Sequence, residues 1–231
     1  MSSVHHSIRN FITKLVVSGI AFLIFLCIPK LLGPELFGIF SFQSAFVGLL
    51  IPLSSLGFGS GIVYLISSNK YKVNEVSSTI LRLAFMLAIL NGALVSILYG
   101  FGFLQSFVTS MSVIQMLCFS LAIFCQSISF LLGRLFYGNS DFKILNTIEI
   151  SISLLNPIVL IALFFLLETA DPTFLYFSIL IASLIGLLLH AYYARSFWNS
   201  AKYNKEFVHA ANSYGLQSWP GDLAVRANLR M

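Results

Sequence analysis

Six continuous apolar runs, each followed by a short polar stretch, constrain this chain more than any motif in it. They cover residues 11–32, 37–66, 80–104, 113–132, 147–167 and 174–198. About 20 apolar residues in a helix span a hydrocarbon core about 30 Å thick, so each run is long enough to cross a bilayer. Barrel strands alternate over segments of about ten residues, a pattern these Leu-, Ile- and Phe-rich runs do not show. A helix also satisfies its backbone polar groups internally, which lipid cannot do for it. The chain is 58% hydrophobic and 9% charged, against roughly 25% charged for a soluble domain. These features predict an all-α polytopic membrane protein. About six transmembrane helices form one lobe over residues 1–198, followed by a basic amphipathic extension over 199–231.

Local chemistry refines the spans. The first run lies behind Arg9 and Lys14 like the core of a signal peptide, but Pro29 and Lys30 follow it in place of a small-residue cleavage site. A retained span is expected. The second run contains Pro52, Gly57, Gly59 and Gly61, which predicts one long helix that kinks or tilts, and Asn156 with Pro157 predicts a bend in the fifth.

Basic residues divide unevenly between the two sides of such a bundle. Arg9, Lys14, Lys70, Lys72, Arg82, Arg134, Lys143, Arg195, Lys202 and Lys205 fall on one side; Lys30 falls on the other, with Glu35, Glu168 and Asp171. The positive-inside rule makes the first side cytoplasmic, the N-terminus included. The formal charge of +5 is dispersed and forms no basic stripe, so anionic lipid is the expected partner and nucleic acid is not. In the extension, Tyr203, Phe207, Ala210, Ala211 and Tyr214 recur at helical spacing, which predicts a stretch lying along the membrane surface. Trp198 and Trp219 suit its interface.

The sequence LGPELFGIF at 32–40, followed by Leu56, Gly57, Phe58, Gly59 and Ser60, resembles bacterial polysaccharide flippases. Their superfamily also holds multidrug exporters and the lipid II flippase. GRLFYG at 133–138, with Asp141, Phe142 and Lys143, resembles the basic cytoplasmic turn of that family. YGLQSW at 214–219, with Gly221, Asp222, Leu223, Asn228, Leu229 and Arg230, resembles the opening of the second half of O-antigen flippases. The resemblance implies that this chain corresponds to an N-terminal lobe, expected to be truncated. The family itself continues into a second lobe. It implies movement of an undecaprenyl-diphosphate-linked oligosaccharide across the bacterial inner membrane. The partners implied are membrane lipids, that lipid-linked sugar, and a missing second lobe or other polysaccharide-assembly proteins. A membrane subunit or enzyme of lipid-linked polysaccharide assembly, or another exporter of the superfamily, is the alternative.

A charge at the centre of a span costs about 2.5–3.5 kcal/mol on insertion scales, so each one needs an account. Lys14, Arg82 and Arg134 lie near span ends on the basic side, where they either contact pyrophosphate or snorkel to headgroups. Glu149 lies about one turn into the fifth span, placed to pair with Arg134 or to titrate in a proton-coupled step. The amides Gln43 and Asn91, and after them Gln115, Gln126 and Asn156, suit either a sugar-lining cleft or hydrogen bonds between helices. Gly57, Gly59, Gly61 and Gly92 suit close helix contact.

No enzyme is expected, because no phosphate loop, nucleophile elbow or HExxH pattern occurs. His5, His6, His190 and His209 are scattered, and Cys27, Cys118 and Cys125 lie inside apolar runs without ligand spacing. Neither a metal nor a cofactor is expected.

Overall fold

The structure, a computed structural model, describes residues 2–106, 111–167, 171–198 and 203–228. Among these the chain forms α1 (Ser2–Ser54), α2 (Phe58–Ser67), α3 (Val73–Gly100), α4 (Val113–Gly138), α5 (Phe142–Leu167), α6 (Thr173–Ala194) and α7 (Lys205–Asn228), with no strand. Short 3-10 turns follow α3 and α6. Five stretches are long and apolar enough to cross a membrane: Leu26–Ser54, Val73–Gly100, Val113–Gly138, Phe142–Leu167 and Thr173–Phe197. The predicted first span, 11–32, is helical, but Lys14 and several of its other side chains lie outside the described residues. The protein is an all-α polytopic membrane protein.

Glycines set where the first helices break. Inside α1, Gly33 stands at φ 76° and ψ 171°, a conformation that side chains with a Cβ rarely adopt, and it divides α1 into two helical halves. The predicted second span, 37–66, is not one kinked helix. It ends at Ser54 and restarts at Phe58, across Leu56 (φ 46°) and Gly57 (φ 75°). The break falls after Pro52 because two successive left-handed residues stop the helix, whereas proline alone is carried within it. Breaking a helix in lipid strands carbonyls, and these are reclaimed locally. Ser55 Oγ donates to Pro52 O at 2.9 Å and Trp219 Nε1 donates to the same carbonyl at 3.3 Å, while Ile51 O keeps its bond from Ser55 N at 3.1 Å and accepts from Ser54 Oγ at 3.0 Å as well.

Helix α4 is the centre of the bundle, with 56% of its most apolar window buried, while α5 is peripheral at 6%. One core cluster joins α2, α3, α4 and α7 through Ile62, Ile80, Leu131, Leu135, Phe136 and Phe207. Large apolar side chains such as Met86, Ile89, Ile158 and Leu188 remain exposed, as expected of a surface whose solvent is hydrocarbon.

Alternate connectors gather at opposite ends. At one end Gly138 packs on Ile66, Ser77 Oγ donates to Phe197 O at 2.7 Å, and Asn204 N donates to Thr79 Oγ1 at 3.0 Å. Lys70, Lys72, Lys143, Arg195 and Lys205 belong to the helix ends and turns collected there. At the other end Tyr99 OH donates to Met111 O at 3.1 Å, and Gln115 Nε2 donates to Thr173 Oγ1 at 2.9 Å.

Helix α7 corrects the predicted surface-lying stretch. Phe207 and Ala211 are fully buried, and the stripe that carries them packs antiparallel along α2. A Cβ at Gly57 would strike the Gly215 carbonyl, and one at Gly61 would strike that of Ala211. Tyr64 and Tyr214 stack at 4.0 Å with an interplanar angle of 3°. The helical spacing was read correctly, but small residues at both partners let two backbones approach, and that contact takes the apolar stripe.

Candidate functional site: a polar cleft between α4, α5 and α6

Three helix faces, each following the 3.6-residue period, converge on one cleft. Helix α4 supplies Gln126, Ser129, Phe130, Gly133, Arg134 and Tyr137; α5 supplies Ile148, Glu149, Ile152 and Asn156; α6 supplies Ala182, Ser183, Gly186 and His190. The cleft measures about 460 Å³. A second cavity of about 340 Å³ adjoins it, sharing Gln126, Phe130, Asn156 and Ala182, and adds Ser44 from α1 and Ser178 from α6.

The end nearest the basic connectors carries charge. Arg134 lies with its guanidinium carbon 4.9 Å from the Phe130 ring centre and 5.8 Å from that of Tyr137. Its stem crosses Gly59 of α2, where a Cβ would come within 3.2 Å of Arg134 Cγ and Nε. Tyr137 OH donates to Glu149 Oε1 at 3.2 Å, which ties the α4 and α5 faces together. His190 Nδ1 lies 2.8 Å from Gly186 O. A carbonyl only accepts, so Nδ1 carries the proton in this contact, and Nε2 is turned toward Gly133.

Deeper in the bundle the chemistry becomes neutral. Gln126 Nε2 donates to Ser183 Oγ at 2.8 Å across α4 and α6. Ser129 Oγ is buried and has no hydrogen-bond partner among the described residues. Asn156 is exposed to both cavities, just before Pro157. This cleft therefore offers a cation, a carboxylate, a phenol, an imidazole, amides and hydroxyls, with the Phe130 ring between them. Such groups bind anions and sugar hydroxyls, which hydrocarbon excludes.

Of the residues singled out in the sequence, the structure brings Arg134, Glu149, Gln126 and Asn156 together and leaves the others elsewhere. Arg82 is exposed on α3, one turn before Phe85 and Met86. Lys14 lies outside the described side chains. Asn91 is fully buried between α3 and α4, donating to Ser127 Oγ at 2.9 Å. Gln43 is buried beside Tyr176, in the contact between α1 and α6. Gln115 caps α4 by accepting from Ser112 N at 2.9 Å. Ser129, Tyr137 and His190 carry no signal of their own in the sequence as cleft residues, although their spacing from Arg134 and Gly186 places them on the same faces. Among the described residues no group of His, Cys, Asp and Glu converges as a metal site would require.

Comparison with known proteins places the sequence in a family. The family model described as polysaccharide biosynthesis protein matches residues 4–224. No match is found among curated proteins or among solved structures. The family match takes in every helix that builds the cleft and the α2–α7 contact, and the chain belongs to the polysaccharide biosynthesis protein family.

Proposed function

We propose that this chain carries a lipid-linked oligosaccharide, an undecaprenyl diphosphate bearing sugars, from one leaflet of the bacterial inner membrane to the other. Family membership supports a polysaccharide-related transporter in general. The observation that carries the finer reading is the cleft itself, a set of charged and hydrogen-bonding groups enclosed by helices whose outer faces are apolar. Sugars and pyrophosphate cross hydrocarbon only if their lost hydration is replaced, and no covalent chemistry is required for that. Arg134 meets the pyrophosphate, and Glu149 holds Arg134 in place or exchanges a proton as the cleft opens. Asn156, Gln126 and Ser129 take sugar hydroxyls. Lys14 and Arg82 hold cytoplasmic headgroups, with the basic end of the bundle and the N-terminus in the cytoplasm. A second lobe, or another polysaccharide-assembly protein, is the partner proposed to complete alternating access.

The test is leaflet exchange in vesicles containing the full chain and a fluorescent undecaprenyl-diphosphate oligosaccharide, read by accessibility to an external lectin. The chain alone and the chain with a candidate second lobe are compared with protein-free vesicles. Exchange faster than in protein-free vesicles, slowed about tenfold by Arg134→Gln, is the expected result; tenfold corresponds to about 1.4 kcal/mol. Binding of the lipid-linked sugar with no exchange in either preparation would favour an assembly subunit instead.

A further inference from the structure

We propose that the crevice between the first half of α1 and α5 is a side portal through which the hydrocarbon tail of the cargo lipid leaves the polar cleft for the bilayer. This deepens the transport reading and rests on it. The crevice encloses about 240 Å³, with Val17, Ile20 and Ile28 from α1 and Ser153 and Pro157 from α5. Phe40 and Asn156 line it too, and both also line the central cavity. Asn156 further borders the charged cleft, so one side chain stands where three adjoining spaces meet.

Around α5 the lining divides three ways, with Ser153 on the crevice between Ile152 on the charged space and Asn156 at the junction. Glu149 borders the charged space, Asn156 the junction, and Pro157 the crevice. Asn156 stands seven positions beyond Glu149, about 10 Å of rise along the helix. A molecule with an anionic head, a polar middle and a hydrocarbon tail can place one part in each of these adjoining spaces, whereas a free sugar or phosphate has no use for the mainly apolar crevice. A tail left in the polar cleft would forfeit its transfer free energy, about 0.8 kcal/mol for each CH₂ kept from an apolar environment. The crevice removes that cost by letting the tail stay in lipid while the head is enclosed.

Helix α5 is also built to admit a chain. Pro157 has no N–H for the Ser153 carbonyl, and its ring crowds that carbonyl, so the helix is weakened beside the crevice. Little of α5 is buried against its neighbours, so few contacts resist its displacement.

The test places a photo-crosslinking amino acid at Ile20 or Ser153 of the full chain, in phosphatidylcholine vesicles containing undecaprenyl diphosphate. Control proteins carry it at Met86 or Leu188, on outer faces. Mass spectrometry should find prenyl adducts at Ile20 and Ser153 at least fivefold above the controls, relative to phosphatidylcholine adducts. Equal ratios at all four positions, or no prenyl adduct at the crevice, would overturn the portal. A second arm uses Ser153→Phe, which fills the crevice. Exchange of the lipid-linked sugar should fall at least fivefold with helix content and melting temperature unchanged, and undiminished exchange by that folded variant would overturn the portal as well. Crosslinking reads where the tail lies even if no transport occurs, so failure of the transport reading is told apart from failure of the portal.

Discussion

At the scale of single residues, the amides inside spans divide by what they touch. Asn91 donates to Ser127 between α3 and α4 and borders none of the three spaces described above, so its role is to join helices. Asn91→Leu should lower stability in detergent by about 0.6–1.7 kcal/mol, the range for interhelical hydrogen bonds in membranes, while cargo binding stays within twofold. A thermal melt and a binding titration on the same preparation check both halves. Gly57 presents the opposite case, a position defined by the absence of a side chain. Gly57→Ala places a methyl group against the Gly215 carbonyl at a left-handed φ and should cost about 1–3 kcal/mol, through overpacking and backbone strain together. Loss of the Tyr64–Tyr214 stack should accompany it, visible as a change in tyrosine near-ultraviolet dichroism. The sequence carried both residues as candidates for helix contact. It did not say which amides would meet a partner, because that depends on how each helix is rotated, and apolar residues surround every span.

Among the elements, the long apolar runs were legible because period and length suffice to specify a helix in lipid. Their breaks were less so. Pro52 reads as a kink, yet the chain breaks at Leu56 and Gly57, where the Trp219 indole and the hydroxyls of Ser54 and Ser55 make a break affordable. The indole belongs to α7, more than a hundred residues away, and no local pattern announces it. The start of α6 allows a sharper test. Asp171 Oδ1 accepts from Thr173 N at 2.9 Å and from Thr173 Oγ1 at 2.7 Å, and these bonds hold its pKa below the usual carboxylate value. A depressed folded pKa adds stability that is present above the unfolded pKa and disappears as the pH falls through the folded one. Asp171→Ala should therefore lower the melting temperature at neutral pH, and the gap from wild type should close on acidification below the usual carboxylate range. A gap that persisted unchanged at low pH would mean that the carboxylate charge plays no part in holding this turn.

For the whole molecule, the alternation of spans and polar connectors foretold a bundle whose connectors gather at two ends, and among the described residues the structure collects them so. The cleft was harder to foresee. Arg134 and Glu149 could be set near one another from spacing, and both border the cleft, but His190, Tyr137 and Ser129 joined them only once α4, α5 and α6 were rotated toward one another. Transport through this bundle requires that the cleft be a polar path inside the membrane. The most direct measurement replaces Cys27, Cys118 and Cys125 with alanine, introduces Asn156→Cys, and adds a membrane-impermeant thiol reagent to vesicles containing the protein. Asn156→Cys should react at least tenfold faster than a control cysteine introduced by Leu188→Cys, and undecaprenyl-diphosphate oligosaccharide should protect it. Reaction no faster than at the control, or labelling untouched by that cargo, would contradict the account.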